Sequence, residues 1–280
     1  MQPCLWTDMF DDLEPEEAVR ICGEAGFRLV EFGCSHEAKY LEGNEREGER
    51  LAGIKQAAEK AGVQILQMHG RLFNLCGADA EANIAWAHRS IRRAAELGVR
   101  WVVLHPGSSE NYGADVEEME WVRARNVEVF RSFAKTAAEV GVGIAIENMS
   151  MKKHRFGAMV GDLLWLLEQL AGSRVGICWD TGHAQLSQLN QAVAVKTLGS
   201  RLVALHIDDN DGLSDKHWTP LRGSVKWPEF MSALRSIGFT GPFNLEVPGE
   251  RNVTPLPARP AKARYLYELC RYMLSPAFGA

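Results

Sequence analysis

Short, continuously apolar runs alternate along the whole chain with longer stretches whose apolar positions recur at helical spacing. The short runs cover 3–7, 28–33, 63–69, 100–105, 142–148, 174–180, 201–207 and 242–247. Each is bounded by Gly, Pro or polar residues, and most lack the polar alternation of a one-sided strand. That pattern predicts parallel strands buried on both faces. The longer stretches cover 15–26, 48–61, 78–98, 117–141, 159–171, 189–199, 227–237 and 258–274. In 78–98, Ile84, Ala87, Ile91, Ala94, Ala95 and Leu97 fall near a 3.6-residue period. The first stretch opens with Pro15 and acidic residues and stops at Gly26, as helix ends prefer. The junctions AGF, AGV, LGV, VGVG and IGF each set a glycine stop before a strand, the short αβ loop of a repeating unit.

Eight strand–helix units over 280 residues predict right-handed crossovers and a parallel sheet. Eight units also predict closure into one (β/α)8 barrel, a single domain spanning 1–280. The rival is an open doubly wound sheet. It would carry a Gly-rich phosphate loop after the first strand, where this chain reads WTDMFDDLEP.

In such barrels chemistry sits at the C-terminal ends of the strands. The polar residues expected there are His69, His105, Glu147, Asp180, His183, His206 and Glu246, joined by Asp215 and His217 from the loop after the seventh run. Five of the eight histidines fall in this set. A lone histidine there is usually a hydrogen-bonded rim residue, and a lone glutamate can pair with an arginine. Together, with no Lys or Arg among them, the carboxylates call for another cation, because desolvating them unpaired is costly. Mixed imidazole and carboxylate donors suit Mn²⁺, Zn²⁺, Co²⁺ or Fe²⁺ better than Ca²⁺. Nothing in the sequence calls for an organic cofactor.

Composition narrows the partners. The chain has 31 basic and 36 acidic residues, a net charge of −5, which argues against a generally basic nucleic-acid binder. No apolar run approaches the ~18 residues of a membrane helix. Six acidic residues precede the first basic one, unlike a secretory or transit leader, so a cytoplasmic protein is expected. Six cysteines without paired spacing read as reduced, mostly buried thiols.

The segments IENMS, CWDTGHA, LHIDDN, DKHWTPLRGSVKW and NLEV, with HGRLFNL and LHPGS before them, resemble the xylose isomerase-like TIM barrel superfamily, in that family's order and over essentially the whole chain. The resemblance implies a metal-dependent sugar or sugar phosphate isomerase or epimerase. One divalent metal, Mn²⁺ by first expectation, would be held by Glu147, Asp180, His206 and Glu246. Glu147 and Glu246 would also exchange protons through a metal-stabilised cis-enediolate, and His183 would touch substrate. The same superfamily holds endonuclease IV, a zinc enzyme that cuts DNA at abasic sites. It also holds lyases, dehydratases and C-glycoside-cleaving subunits. The endonuclease pattern would add His69, His105, His183, Asp215 and His217 as ligands, whereas isomerase-like members also keep several of these. Against DNA stands the segment SHEAKYLEGNEREGER, whose five glutamates should border the mouth. Leu221-Arg222-Gly223 departs from the family's usual Gly-Glu-Gly.

The expected substrate is a small sugar or polyol. Trp6 and Phe73 are candidates to line its pocket, with Trp179 and Trp218 as further aromatics at the mouth. Arg222 is a candidate to hold a substrate oxygen. The cluster KKHR (152–155), with Lys152 and Lys153, is either a phosphate site or a solvated loop. The resemblance also implies homo-oligomers built through helix faces.

Overall fold

A computed structural model describes residues 1–151 and 155–279. The strands are β1 (Gln2–Trp6), β2 (Leu29–Phe32), β3 (Gln64–His69), β4 (Trp101–Leu104), β5 (Gly143–Glu147), β6 (Val175–Asp180), β7 (Leu202–His206) and β8 (Pro242–Leu245). Every neighbouring pair is parallel, in the order β7-β6-β5-β4-β3-β2-β1-β8. The remaining seam is closed just past β7, where Ile207 N–H donates to the Asn244 carbonyl at 2.8 Å and Glu246 N–H to the Ile207 carbonyl at 3.2 Å. The architecture is the expected (β/α)8 barrel.

The helices are α1 (Pro15–Ala25), α2 (Cys34–Tyr40), α3 (Glu47–Ala61), α4 (Ala80–Leu97), α5 (Val116–Val140), α6 (Val160–Gln169), α7 (Thr181–Leu186), α8 (Gln191–Leu198), α9 (Trp227–Ser236), α10 (Pro248–Val253) and α11 (Arg259–Leu274). The eight predicted helices are present within a residue or two at most ends. At Gly62 and Gly98 the chain turns left-handed, with φ of +63° and +81°. Val63 N–H then closes onto the Ala58 carbonyl, and Val99 N–H onto the Ala94 carbonyl, both at 2.9 Å. A side chain would be strained in that conformation, so these glycines end the helices where the strands must begin.

Three further helices, α2, α7 and α10, were not anticipated. Each starts at the C-terminal end of a strand, as does the 3₁₀ turn Thr7–Phe10 after β1. At four to seven residues they are too short for a hydrophobic period to register.

Most of the core lies between the sheet and the outer helices, where Phe10, Phe27, Phe130, Phe133 and Phe230 are fully buried. Trp179 belongs to this layer. Its indole Nε1 donates to Gln191 on α8 at 3.2 Å, so it does not stand at the mouth as expected. The barrel interior is lined differently. Val103, Ala145, Cys178 and Ala204 form a small apolar cluster on the β4–β7 side. Glu31, Gln67 and Asn244, all with zero exposure, come from β2, β3 and β8.

The segment after β2 also differs from expectation. It folds into α2 and the start of α3, and four of its five glutamates are neutralised locally. Glu37 is buried and accepts from Arg93 at 3.0 Å and Ser90 at 2.8 Å. Glu42 pairs with Arg71, Glu47 with Arg93 and Glu49 with Arg46. The mixed charges of this stretch are therefore largely paired off.

All six cysteines are free thiols, four of them buried. No helix among the described residues is long and apolar enough to cross a membrane.

Candidate metal centre and active site

The motif residues between the strand ends act as clamps. Asn148, just past β5, donates its amide to the Asp180 carbonyl at 3.0 Å and accepts from the Asp180 N–H at 2.6 Å. That ties the end of β5 to the end of β6 and sets Glu147 beside Asp180. Thr181 repeats the device one strand on, donating its hydroxyl to the Asp208 carbonyl at 2.7 Å and accepting from Asp208 N–H at 3.0 Å. Between them, Gly182 passes close to Asp208. A Cβ there would lie 2.3 Å from the Asp208 Oδ1, so the position excludes any side chain.

These clamps gather Glu147, Asp180, His206 and Glu246, each with one donor atom within 4.8 Å of the others. All four are buried. His206 Nδ1 lies 3.2 Å from both Glu147 Oε2 and Glu246 Oε2. His206 Nδ1 and Asp180 Oδ2 are nevertheless buried polar atoms without a hydrogen-bond partner. Buried polar atoms are rarely left this way, because each orphan costs about 1–3 kcal/mol.

The other candidates surround this group. His69 donates Nδ1–H to the Gly70 carbonyl at 2.7 Å, which leaves Nε2 facing Glu147 at 3.4 Å and Glu246 at 3.8 Å. His105 Nε2 is 3.1 Å from Glu147 Oε2. His183 donates Nδ1–H to the Asn148 carbonyl at 2.9 Å and turns Nε2 to Asp215 at 3.3 Å. His217, held at φ +43°, lies 2.6 Å from Asp208 and 3.5 Å from Asp215. The structure thus brings together all nine candidate ligands.

The charges are out of balance. Among the described residues no Lys or Arg pairs with Glu147, Asp180, Asp208, Asp215 or Glu246, which lean on histidines alone. Burial would raise Glu147, but His206 and His105 hold it well below the usual carboxylate range. Burial acts likewise on Glu246, and His206 and His217 bring it down to about 2. His69 is driven up to about 9, since Glu147 and Glu246 outweigh its burial. His105 goes the other way, lowered by burial. Asp180 has too little to offset it. Burial and the neighbouring Asp208 push it well above the usual range. A bound divalent cation would take the place of the protons the histidines hold and give the two orphaned atoms a partner, so the donor set fits one.

The aromatic and basic candidates stand further out. Trp6 is buried at the end of β1 with its Nε1 unpartnered. Phe73 is half-buried against the outer core. Arg222 donates to Glu250 at 3.0 Å and lies over the Trp218 ring at 4.8 Å, so its guanidinium is already engaged. Lys152 and Lys153 lie outside the described residues. Leu221 takes φ +70°, where the family favours glycine, at a cost of roughly 1–2 kcal/mol.

Three residues that shape the site were not singled out in the sequence. Asp209 accepts from Val225 N–H at 3.1 Å and Trp227 Nε1 at 2.8 Å, anchoring the loop that carries Asp215 and His217. Glu31 reaches His206 from inside the barrel. Glu250, 2% exposed, accepts from Thr219 N–H and Arg222 at 3.0 Å and pairs with Lys262 at 2.8 Å.

Burial would raise Glu250, but Lys262 and the Thr219 N–H bring it down to about 2. An unfolded glutamate takes up its proton near ~4.3. The stabilisation is therefore complete above that pH and is lost as the folded carboxylate protonates toward about 2. Glu250→Gln should cost ~2–3 kcal/mol at pH 7, and the gap to wild type should shrink below ~pH 4. Urea unfolding at a series of pH values checks both; a gap independent of pH would contradict the assignment.

Residues 19–271 match the family model for the xylose isomerase-like TIM barrel, and the chain belongs to that family. The uncharacterized protein y4fM of Sinorhizobium fredii is 31% identical over 163 residues, 57% of this chain and 51% of that protein. The alignment thus spans about half the length of that relative. The D-psicose 3-epimerase of Enterocloster bolteae is 26% identical over 230 residues, 77% of this chain and 71% of that one. The crystal structure of a putative xylose isomerase from Rhodospirillum rubrum superposes with a TM-score of 0.84 at 19% identity, covering 99% and 100% of the two chains.

Proposed function

We propose that the protein is a divalent-metal-dependent isomerase or epimerase of a small sugar or sugar phosphate. One observation carries the reading. Four buried donors, Glu147, Asp180, His206 and Glu246, converge within 4.8 Å, and two of their atoms have no hydrogen-bond partner among the described residues. The name of the E. bolteae relative supports a ketose as the substrate.

A cation held by these four residues would polarise adjacent oxygens of a ketose and lower the barrier to removing the neighbouring C–H proton. The two glutamates do the rest. Glu147 ends β5 and Glu246 follows β8, so their carboxylates enter the mouth from positions three strands apart. One, ionised, would remove the proton from carbon, and the other, having taken up a proton in the substrate complex, would return that proton to the opposite face. His183, steadied by the Asn148 carbonyl, would hold a substrate hydroxyl. Mn²⁺ is the proposed metal, with Zn²⁺, Co²⁺ and Fe²⁺ as chemically acceptable alternatives.

A second reading rests on a specific observation. His69, His105 and Glu147 form one further group of converging donors, and His183, Asp215 and His217 another. Three cations in place of one would favour a hydrolase of phosphodiesters at abasic sites. Elemental mass spectrometry of the purified protein, followed by a panel of ketoses and their phosphates, separates the two. About one equivalent of metal with ketose turnover supports the isomerase, and two or three zinc ions without turnover overturn it.

A further inference from the structure

We propose that Glu31 is a positioning residue that fixes the tautomer of His206 and tightens the hold of that histidine on a divalent cation; the inference rests on the metal reading above. Glu31 sits on β2 inside the barrel, with zero exposure. Its two carboxylate oxygens each lie 3.2 Å from His206 Nε2. Asn244 on β8 donates its amide to Oε2 of the same carboxylate.

The contact is not a local one. In the strand order, β1 and β8 lie between β2 and β7, so Glu31 reaches His206 through the barrel interior. The β2–β3 register shifts beside Glu31, with the extra residue, Leu66, on β3.

A buried carboxylate needs a partner, and among the described residues no Lys or Arg pairs with Glu31. Among the described residues the imidazole is the only basic group it touches. With Nε2–H donating to Glu31, the Nδ1 lone pair is left to the side where Glu147 and Glu246 oxygens lie at 3.2 Å. That Nδ1 is the atom left without a hydrogen-bond partner. A carboxylate on the far nitrogen fixes the ring and raises its basicity toward a metal, and losing such a partner typically weakens binding 10–100-fold. Asn244 in turn holds the carboxylate. The chain of contacts runs Asn244, Glu31, His206, donor site.

The experiment is Mn²⁺ titration of the metal-free protein, followed by calorimetry, for wild type, Glu31→Gln, His206→Ala and the double variant. Glutamine keeps the size and one acceptor but loses the charge. Expected is a 10–100-fold weaker Mn²⁺ affinity for Glu31→Gln, and no further loss when the change is made on His206→Ala. Equal affinity of Glu31→Gln and wild type overturns the proposal and leaves the metal site standing. An equal loss in the His206→Ala background also overturns it, because a general structural role would act without the histidine. Absence of Mn²⁺ binding by wild type overturns the metal reading itself. Should Glu31→Gln not fold, nitrogen-15 correlation spectra of the Zn²⁺-loaded wild type decide. His206 protonated on Nε2 supports the proposal, and protonation on Nδ1 defeats it.

Discussion

Glu246→Gln is expected to lower kcat for ketose epimerisation by at least ~10²–10⁴-fold, the usual worth of a positioned acid or base, while the chain remains folded. The carboxamide keeps the size of the side chain and one oxygen able to face a cation, but it cannot take up a proton from carbon. Loss of activity with metal content retained would therefore separate the two roles proposed for this residue. Its surroundings make the substitution tolerable. Glu246 lies 3.2 Å from His206 Nδ1 and 3.8 Å from both His69 Nε2 and His217 Nδ1, so a neutral amide still meets polar neighbours. Two measurements check the prediction. Turnover is followed on the ketose panel, and deuterium from heavy water is followed into recovered substrate and product. A variant that turns over at the wild-type rate would remove Glu246 from the proton-transfer pair and leave Glu147 in need of another partner, whereas exchange into only the epimer whose proton faces Glu147, without turnover, is the expected result.

The reason Glu246 and its companions could be found from sequence is positional. A barrel presents the C-terminal end of every strand to one mouth, so a polar residue closing an apolar run already has an address. His69, Glu147, Asp180 and His206 each close such a run, and all arrive at the same centre. The glycine stops at Gly62 and Gly98 were legible for a similar reason, since their effect is local to one helix end. Glu31 was not legible. It lies within RLVEFG, where a single polar residue between apolar ones reads as ordinary strand alternation. Only the closed barrel brings it to His206, 175 residues further along. Asn244 was hidden in the same way inside PFNLEV. The burial of Glu37 against Arg93 likewise joins residues 56 apart, so the segment after β2 looked more acidic than it is in place. Pairings across a fold leave little trace in local pattern, and three of the differences between expectation and structure are of this kind.

The second large effect should come from His206→Ala, which is expected to weaken the hold on the cation so far that, at Mn²⁺ concentrations that load wild type, the stabilisation the cation gives is lost. A ligand that binds only the folded chain stabilises it by ~2.7 kcal/mol at a hundredfold excess over its dissociation constant. In a chain of this size that is a rise in Tm of roughly 5–10 °C when Mn²⁺ is added to the metal-free wild type. The variant should show no such rise. Comparing each protein with and without metal matters here, because His206→Ala does two things at once. It removes a donor, and it strands Glu31 as a buried carboxylate whose only remaining partner among the described residues is the Asn244 amide. Removing one member of a buried pair costs ~3–5 kcal/mol by itself, so the metal-free variant should already melt below metal-free wild type. That first drop reports the Glu31 contact, and the missing response to Mn²⁺ reports the donor atom. Differential scanning calorimetry, with metal content measured on the same samples, resolves the two. A variant that keeps its metal and its Mn²⁺-dependent rise in Tm would show that the cation sits elsewhere in the mouth and does not use His206. The convergence of Glu147, Asp180 and Glu246 on that ring would then need a different explanation.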